Sequence, residues 1–184
     1  MNDLTAPGAS TVALVPPEPV HIPAITAIYA EAVLTGTASW ELDPPDAAEM
    51  ARRMADVQGR GYPYLAALAG EVVAGYAYAS AYRPRPGYRF TVEDSVYVAP
   101  GWQGRGIGRR LLAAVIDATT ALGYRQMIAV IGDSGNAASI ALHASLGFRH
   151  AGLLRSVGFK HGRWLDGVLM QRSLGEGDAT LPAG

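Results

Sequence analysis

Residues 103–108 read Gln-Gly-Arg-Gly-Ile-Gly, alternating glycine with larger side chains immediately before an apolar, helix-periodic stretch. Successive glycines let backbone amides approach a ligand, and a helix N-terminus favours anions. A phosphate or pyrophosphate is the natural guest, the alternative being a glycine-rich turn that holds nothing. The loop lacks the Lys-Ser/Thr ending of a P-loop, and its G-x-G-x-G spacing departs from the dinucleotide-binding G-x-G-x-x-G. Upstream, Glu93 shares the polar face of an alternating segment with Thr91, Ser95 and Tyr97. Asp94 shares the opposite, mainly apolar face with Phe90, Val92, Val96 and Val98, which makes it the poorer base unless a bulge reverses the parity. Arg83, Arg85 and Arg89 crowd the link before this segment, where a guanidinium can pair bidentately with a carboxylate or stay a solvated loop charge. His143 falls one helical turn after Ser139. The four histidines have no close metal-ligand spacing and there is no cysteine, so no metal site is expected.

Ile22, Ile25, Ile28, Tyr29, Ala32 and Val33 recur at helical spacing, with Pro23 acceptable in the first turn, and predict a first helix. Asp46 and Glu49 have capping-box spacing after Pro44-Pro45 and open a second helix striped by Met50, Met54 and Val57. The loop between them, TGTASWELD, offers Thr37, Ser39 and Trp40 as a pocket wall, although an aromatic there can equally be core. Residues 64–69 and 72–82 predict a β-hairpin turning at Gly70-Glu71, and 90–98 a further strand. Ile107, Leu111, Leu112, Val115, Ile116 and Thr119 trace a helix closed by Gly123. MIAVIG reads as a buried strand, Asn136–Leu146 as a shorter helix ended by Gly147, and 148–154 and 164–173 as closing strands. Helices around a mixed sheet make an α/β (α+β) domain over residues 20–174. Residues 1–19 read as a disordered N-terminal lead and 175–184 as a disordered C-terminal tail.

Composition narrows the classes. The chain has 184 residues, enough for one domain, with 49% apolar and only 17% charged types, which excludes bulk disorder. A net charge of -1 provides no positive field for a nucleic-acid backbone or an anionic membrane. No apolar run approaches the roughly 18 residues of a membrane-spanning helix. The proline-rich amino terminus, without a basic residue ahead of its weak apolar stretch, fits no secretory signal, and zero cysteines suit a reducing compartment, so a cytoplasmic location is expected.

Val96–Leu112, VYVAPGWQGRGIGRRLL, resembles the acyl-CoA pyrophosphate motif of the GNAT N-acetyltransferase superfamily, a Q/R-x-x-G-x-G/A loop filled here by Gln103, Gly106 and Gly108. Asn136–Phe148 resembles that superfamily's N-x-x-S-x-x-L-Y/H-x-x-x-G-F segment. TVEDSVYV, SIALH and VGFKHGRWLD, with IYAEAV and TASWE earlier, are similar to the phosphinothricin and methionine sulfoximine/sulfone acetyltransferase branch, and the likeness spans Val20 to Leu174.

That resemblance implies a GNAT-type fold, a mixed, mostly antiparallel sheet whose splayed central strands hold acetyl-CoA as co-substrate. It implies acetylation of the α-amino group of a small amino acid such as phosphinothricin, methionine sulfoximine or methionine sulfone. Such a transfer needs a base for the ammonium, an oxyanion site and an acid for the thiolate. Glu93 matches the family's catalytic glutamate, its alternative being an exposed or salt-bridged strand carboxylate. His143 stands where many members place a thiolate-protonating tyrosine, and is either that general acid or a structural helix histidine. Val96, Tyr97, Val98, Gln103, Gly104, Arg105, Gly106, Ile107, Gly108, Arg109, Asn136 and Ser139 are the implied acetyl-CoA contacts, with amides near Tyr97 and Val98 receiving the thioester oxygen and Asn136 also able to cap its helix. Arg83, Arg89 and Ser39 are the implied substrate contacts. The polar cluster of Lys160, His161, Arg163, Trp164 and Asp166 matches a region near the branch's active site and dimer contact, which implies a homodimer.

Three alternatives stand beside this reading. A polyamine, aminoglycoside or protein N-terminus is a different acceptor, but a polycation calls for an acidic pocket and the arginine cluster opposes one. A non-catalytic acyl-CoA sensor would have no use for Glu93 and His143 together. A nucleic-acid module built on Arg105, Arg109 and Arg110 has a thin electrostatic footprint.

Overall fold

A computed structural model describes residues 12–182. Its elements run β1 Val12–Val15, α1 Ile22–Thr35, α2 Ala47–Gly59, β2 Tyr64–Ala69, β3 Val72–Ala81, β4 Thr91–Val98, α3 Ile107–Ala121, β5 Gln126–Gly132, α4 Ala137–Ser145, β6 Arg149–Lys160 and β7 Arg163–Ser173. The seven strands form one sheet in the order β1-β2-β3-β4-β5-β7-β6, antiparallel everywhere except between β4 and β5.

Period-two alternation along the strands feeds two cores, one on each face of the sheet. On one face Val92, Met127, Ala129 and Met170 pack against Leu111, Leu112, Val115 and Ile116 of α3. On the other, Ile25, Tyr29 and Val33 of α1 and Met50 and Met54 of α2 pack against Tyr64, Ala66 and Tyr76. Burying a side chain of that size contributes on the order of 2 kcal/mol, so each helix is held mainly by its stripe. Local signals set the ends. Asp46 caps α2 by accepting the Glu49 amide at 2.7 Å, as the capping-box spacing predicts. The β6–β7 turn is His161-Gly162, both at positive φ (50° and 73°), the backbone of a two-residue hairpin turn.

The ends of the domain differ from the sequence expectation. Residues 12–15 are not a disordered lead: β1 pairs with β2 along the edge of the sheet, and Arg110 Nη2 holds the Val12 carbonyl at 2.7 Å. Residues 1–11, the remainder of the expected lead apart from the link to α1, lie outside the described residues. The expected tail is likewise folded back over 175–182, where Arg125 donates to Thr180 Oγ1 (2.7 Å) and to the Leu181 carbonyl (3.1 Å). In both places an arginine from the domain satisfies backbone or hydroxyl acceptors that a composition-based reading leaves to solvent.

Candidate active site

The site arises where β4 and β5 part. Their ladder covers only Thr91–Glu93 against Gln126–Ile128, although β4 continues to Val98 and β5 to Gly132. Beyond Glu93, the peptide groups of β4 that face β5 have no partner in that ladder. Two adjoining cavities open there. The first, about 380 Å³, is walled by Glu93, Asp94, Ser95, Tyr29, Tyr78, Glu41, Ile131 and His143. The second, about 620 Å³, runs past Val98 to Gln103, Gly104, Gly106, Gly108 and Arg109. Ala38, Val96, Tyr97, Asn136 and Ser139 border both.

Strand parity puts Glu93 and Asp94 on opposite faces, as expected, and gives them different fates. The Glu93 carboxylate is half-buried in the first cavity and makes no side-chain hydrogen bond or ion pair among the described residues. Burial, and secondly the charge of Asp94, push its pKa up to about 7, with Arg83 pulling the other way. A carboxylate poised near neutrality suits a general base.

Asp94 is 7% exposed and meets His143, 3% exposed, with Nε2 at 3.0 Å from Oδ2. Asp94 Oδ1 has no partner among the described residues. His143 Nδ1 lies 2.7 Å from the Ser139 carbonyl. A carbonyl only accepts, so Nδ1 carries the proton and Nε2 faces the carboxylate. Burial depresses the His143 pKa, but the hydrogen bond and charge of Asp94, with the Ser139 carbonyl, outweigh it and leave the imidazole raised. Both ring nitrogens therefore have partners within the protein, while the imidazole also borders the first cavity. The geometry has a local origin: Asn136 caps α4 through the Ser139 amide at 3.2 Å, which fixes the turn whose carbonyl holds His143.

In the glycine loop, Gly104 and Gly106 adopt left-handed φ of 73° and 75°, and Gly106 is the N-cap of α3. A Cβ on either would meet nothing within 4 Å, so backbone conformation demands glycine there and the cradle stays free of side chains. Gly108 is closely packed: its Cβ would lie 3.3 Å from Val98 Cγ2 and 3.4 Å from Leu142 Cδ2, so a side chain there would make these methyl groups shift by a few tenths of an ångström. Open backbone at a helix N-terminus beside Arg109 fits a pyrophosphate. Arg105 does not line this cavity but lies over the Trp102 ring, 4.9 Å from its centre, and the Ile107 side chain belongs to the core.

The loop after α1 forms the remaining wall. Ser39 borders the first cavity and is 4% exposed; its Oγ pairs with Tyr29 Oη (2.9 Å) and accepts the Glu41 amide (3.2 Å), which ties the loop to α1. Lys160 Nζ donates to the Ser39 carbonyl at 2.8 Å, and the His161 Nε2 lies 3.1 Å from the Gly36 carbonyl. The Trp40 indole lies in a slot floored by Gly132, Gly158 and Gly167 on three neighbouring strands, and a Cβ on Gly158 would fall 2.0 Å from Trp40 Cζ3. Sequence reasoning missed this slot, the Asp94–His143 contact, and Tyr29, Glu41 and Tyr78 as wall residues. The sequence carries no signal for the slot, since its three glycines lie apart at 132, 158 and 167 and meet only in the folded sheet. Neither expected substrate arginine lines the first cavity: Arg83 stacks on Tyr82 and Tyr88 (5.1 and 5.9 Å to the ring centres), and Arg89 lies over Phe90 at 4.6 Å.

Residues 25–148 match the model of the acetyltransferase (GNAT) family. The phosphinothricin N-acetyltransferase of Alcaligenes faecalis is 58% identical over 161 residues, 88% of this chain and 82% of that protein. The L-methionine sulfoximine/L-methionine sulfone acetyltransferase of Pseudomonas paraeruginosa is 48% identical over 158 residues, 83% of this chain and 89% of that protein. In structure, a GNAT superfamily phosphinothricin acetyltransferase from Sinorhizobium meliloti in complex with AcCoA superposes with a TM-score of 0.91 at 52% identity, covering 94% of each chain. The parted central strands, the glycine cradle at the start of α3 and these matches agree: the chain belongs to the GNAT acetyltransferase family.

Proposed function

We propose that this N-acetyltransferase acetylates the α-amino group of a small amino acid such as phosphinothricin, methionine sulfoximine or methionine sulfone, with acetyl-CoA as co-substrate. The observation that carries the reading is the unpartnered Glu93 carboxylate at the parting of β4 and β5, beside a glycine cradle shaped for a pyrophosphate. Acetyl-CoA, when bound, supplies an acetyl thioester. Gln103, Gly104, Gly106, Gly108 and Arg109 would hold its pyrophosphate, with Val96, Tyr97, Asn136 and Ser139 bordering the passage toward Glu93.

Glu93 takes the proton of the acceptor's ammonium on its carboxylate, directly or through a water, and so frees the attacking lone pair. Amides near Tyr97 and Val98, in the reach of β4 that β5 does not pair, donate to the carbonyl oxygen as charge develops on it. Arg83 is the nearer candidate for the acceptor's carboxylate, since its charge reaches Glu93, and Arg89 is the second. As the nitrogen bonds to the acetyl carbon the C–S bond breaks and the departing thiolate takes a proton from water, His143 being assigned a positioning role in which it holds α4 against Asp94 of β4. We also propose that two copies associate through the β6–β7 hairpin, where Leu153, Leu154, Val157, Phe159 and Trp164 are exposed together. Sedimentation should then give twice the monomer mass, and Trp164→Glu the monomer. No helix among the described residues is long and apolar enough to cross a membrane. We place the enzyme in the cytoplasm, the reducing compartment that its cysteine-free sequence suits.

Acetyl-CoA-dependent thiol release tests the acceptor assignment. Saturable release with methionine sulfone or phosphinothricin supports it, whereas release only with a polyamine refutes it.

A further inference from the structure

A third, open cavity of about 930 Å³ lies beyond the glycine loop, between the start of α3 and the end of α4, with β6 and β7 along its floor. Its lining includes the guanidinium groups of Arg109, Arg149 and Arg172 beside His150, with no carboxylate. Arg172 is fixed there by donating Nη1 to the Leu146 carbonyl. None of the three arginines forms a salt bridge among the described residues. Cations gathered in one concavity without a counter-charge raise the local potential and attract an anion. Arg109 also borders the glycine-loop cavity, which in turn shares Val96, Tyr97 and Asn136 with the Glu93 cavity. The phosphate cradle therefore borders both other spaces, the cavity of the carboxylate base through several residues and the arginine cavity through Arg109.

Acetyl-CoA presents its chemistry in the same order, an acyl thioester at one end, a pyrophosphate in the middle and a 3′-phosphorylated ribose at the other. We propose that the arginine cavity binds the 3′-phosphate of acetyl-CoA through Arg109, Arg149 and Arg172, so that the enzyme distinguishes CoA from its 3′-dephospho form. This rests on acetyl-CoA being the co-substrate but not on which amine is acetylated. A phosphate monoester brings nearly two negative charges and three acceptor oxygens, matched by planar guanidinium donors. Arg149 is exposed and makes no side-chain hydrogen bond among the described residues, so its removal leaves the fold intact.

Calorimetric titration with CoA and with 3′-dephospho-CoA, no acceptor being present, provides the test. The unaltered enzyme should bind CoA about tenfold more tightly than dephospho-CoA, the scale of one charge-assisted contact. Arg149→Ala should weaken CoA by a similar factor and leave dephospho-CoA unchanged, and the preference should shrink with added salt. Equal affinity for the two compounds, or an Arg149→Ala variant that weakens both alike, would overturn the proposal. Equal affinities combined with Arg149-dependent binding of inorganic phosphate would also overturn it, assigning the cavity to a separate anion. Absence of all CoA binding would refute the co-substrate reading as well, a result distinct from silence with the chosen amino acids.

Discussion

Substituting Glu93 by glutamine should abolish turnover and stabilise the protein, and the two effects have one cause. In the unfolded chain this carboxyl titrates near 4.5; in the folded protein burial and Asp94 raise it to about 7. Between those values the native state keeps a proton that the unfolded chain has released. Unfolding thus becomes easier as pH rises through that window, and the penalty is complete above it. At about 1.36 kcal/mol per pH unit, the displacement amounts to about 3 kcal/mol of stability lost by the wild type between pH 4.5 and pH 7. Glutamine has nearly the same shape and cannot ionise. Glu93→Gln should match the wild type near pH 4 and exceed it by up to about 3 kcal/mol at pH 8, or about 6 to 12 °C in Tm for a domain of this size. Urea unfolding of both proteins at several pH values between 4 and 8 measures the difference. Parallel stability–pH curves would show that Glu93 is solvated with an ordinary pKa, and would refute the argument that burial readies it as a base.

The same displacement predicts a kcat/KM profile whose acid limb has its midpoint near pH 7, because Glu93 must be unprotonated to accept a proton; a limb below pH 5 would contradict it. Asp94→Asn leaves His143 buried without its charge partner and should cost about 3 kcal/mol in urea unfolding. His143→Gln should retain kcat within about tenfold in the folded enzyme with the acid limb in place; a loss of about 100-fold or more with acetyl-CoA binding intact would restore the proton-donor role. Gly158→Ala collides with Trp40 and should raise the acceptor KM while sparing acetyl-CoA affinity, with about 1 to 3 kcal/mol of stability lost; an unchanged acceptor KM would remove the slot from substrate positioning. Gly106→Val forces a branched residue into a left-handed conformation and should weaken acetyl-CoA about tenfold by calorimetry, the acceptor KM being unaffected.

Features carried by near neighbours in the chain were legible without a structure. The stripes of α1, α2 and α3, the Asp46 cap, the Gly70-Glu71 turn, the glycine cradle and the opposite facing of Glu93 and Asp94 all follow from periods of 3.6 and 2 and from turn chemistry. The residues that finish the site are not neighbours in that sense. Asp94 meets His143 across 49 positions, and Lys160 reaches the Ser39 carbonyl across 121. Trp40 finds its slot only because Gly132, Gly158 and Gly167 are brought side by side on β5, β6 and β7. An alternating pattern states which face of a strand is buried but not which strand lies beside it, nor how far a ladder runs before it opens. Tertiary packing decided that β4 and β5 separate after Glu93, that His143 turns inward to a carboxylate, and that β1 is an edge strand. Each depends on a pairing of distant segments, whose closure entropy is recovered only when the whole sheet and its two helical layers form together.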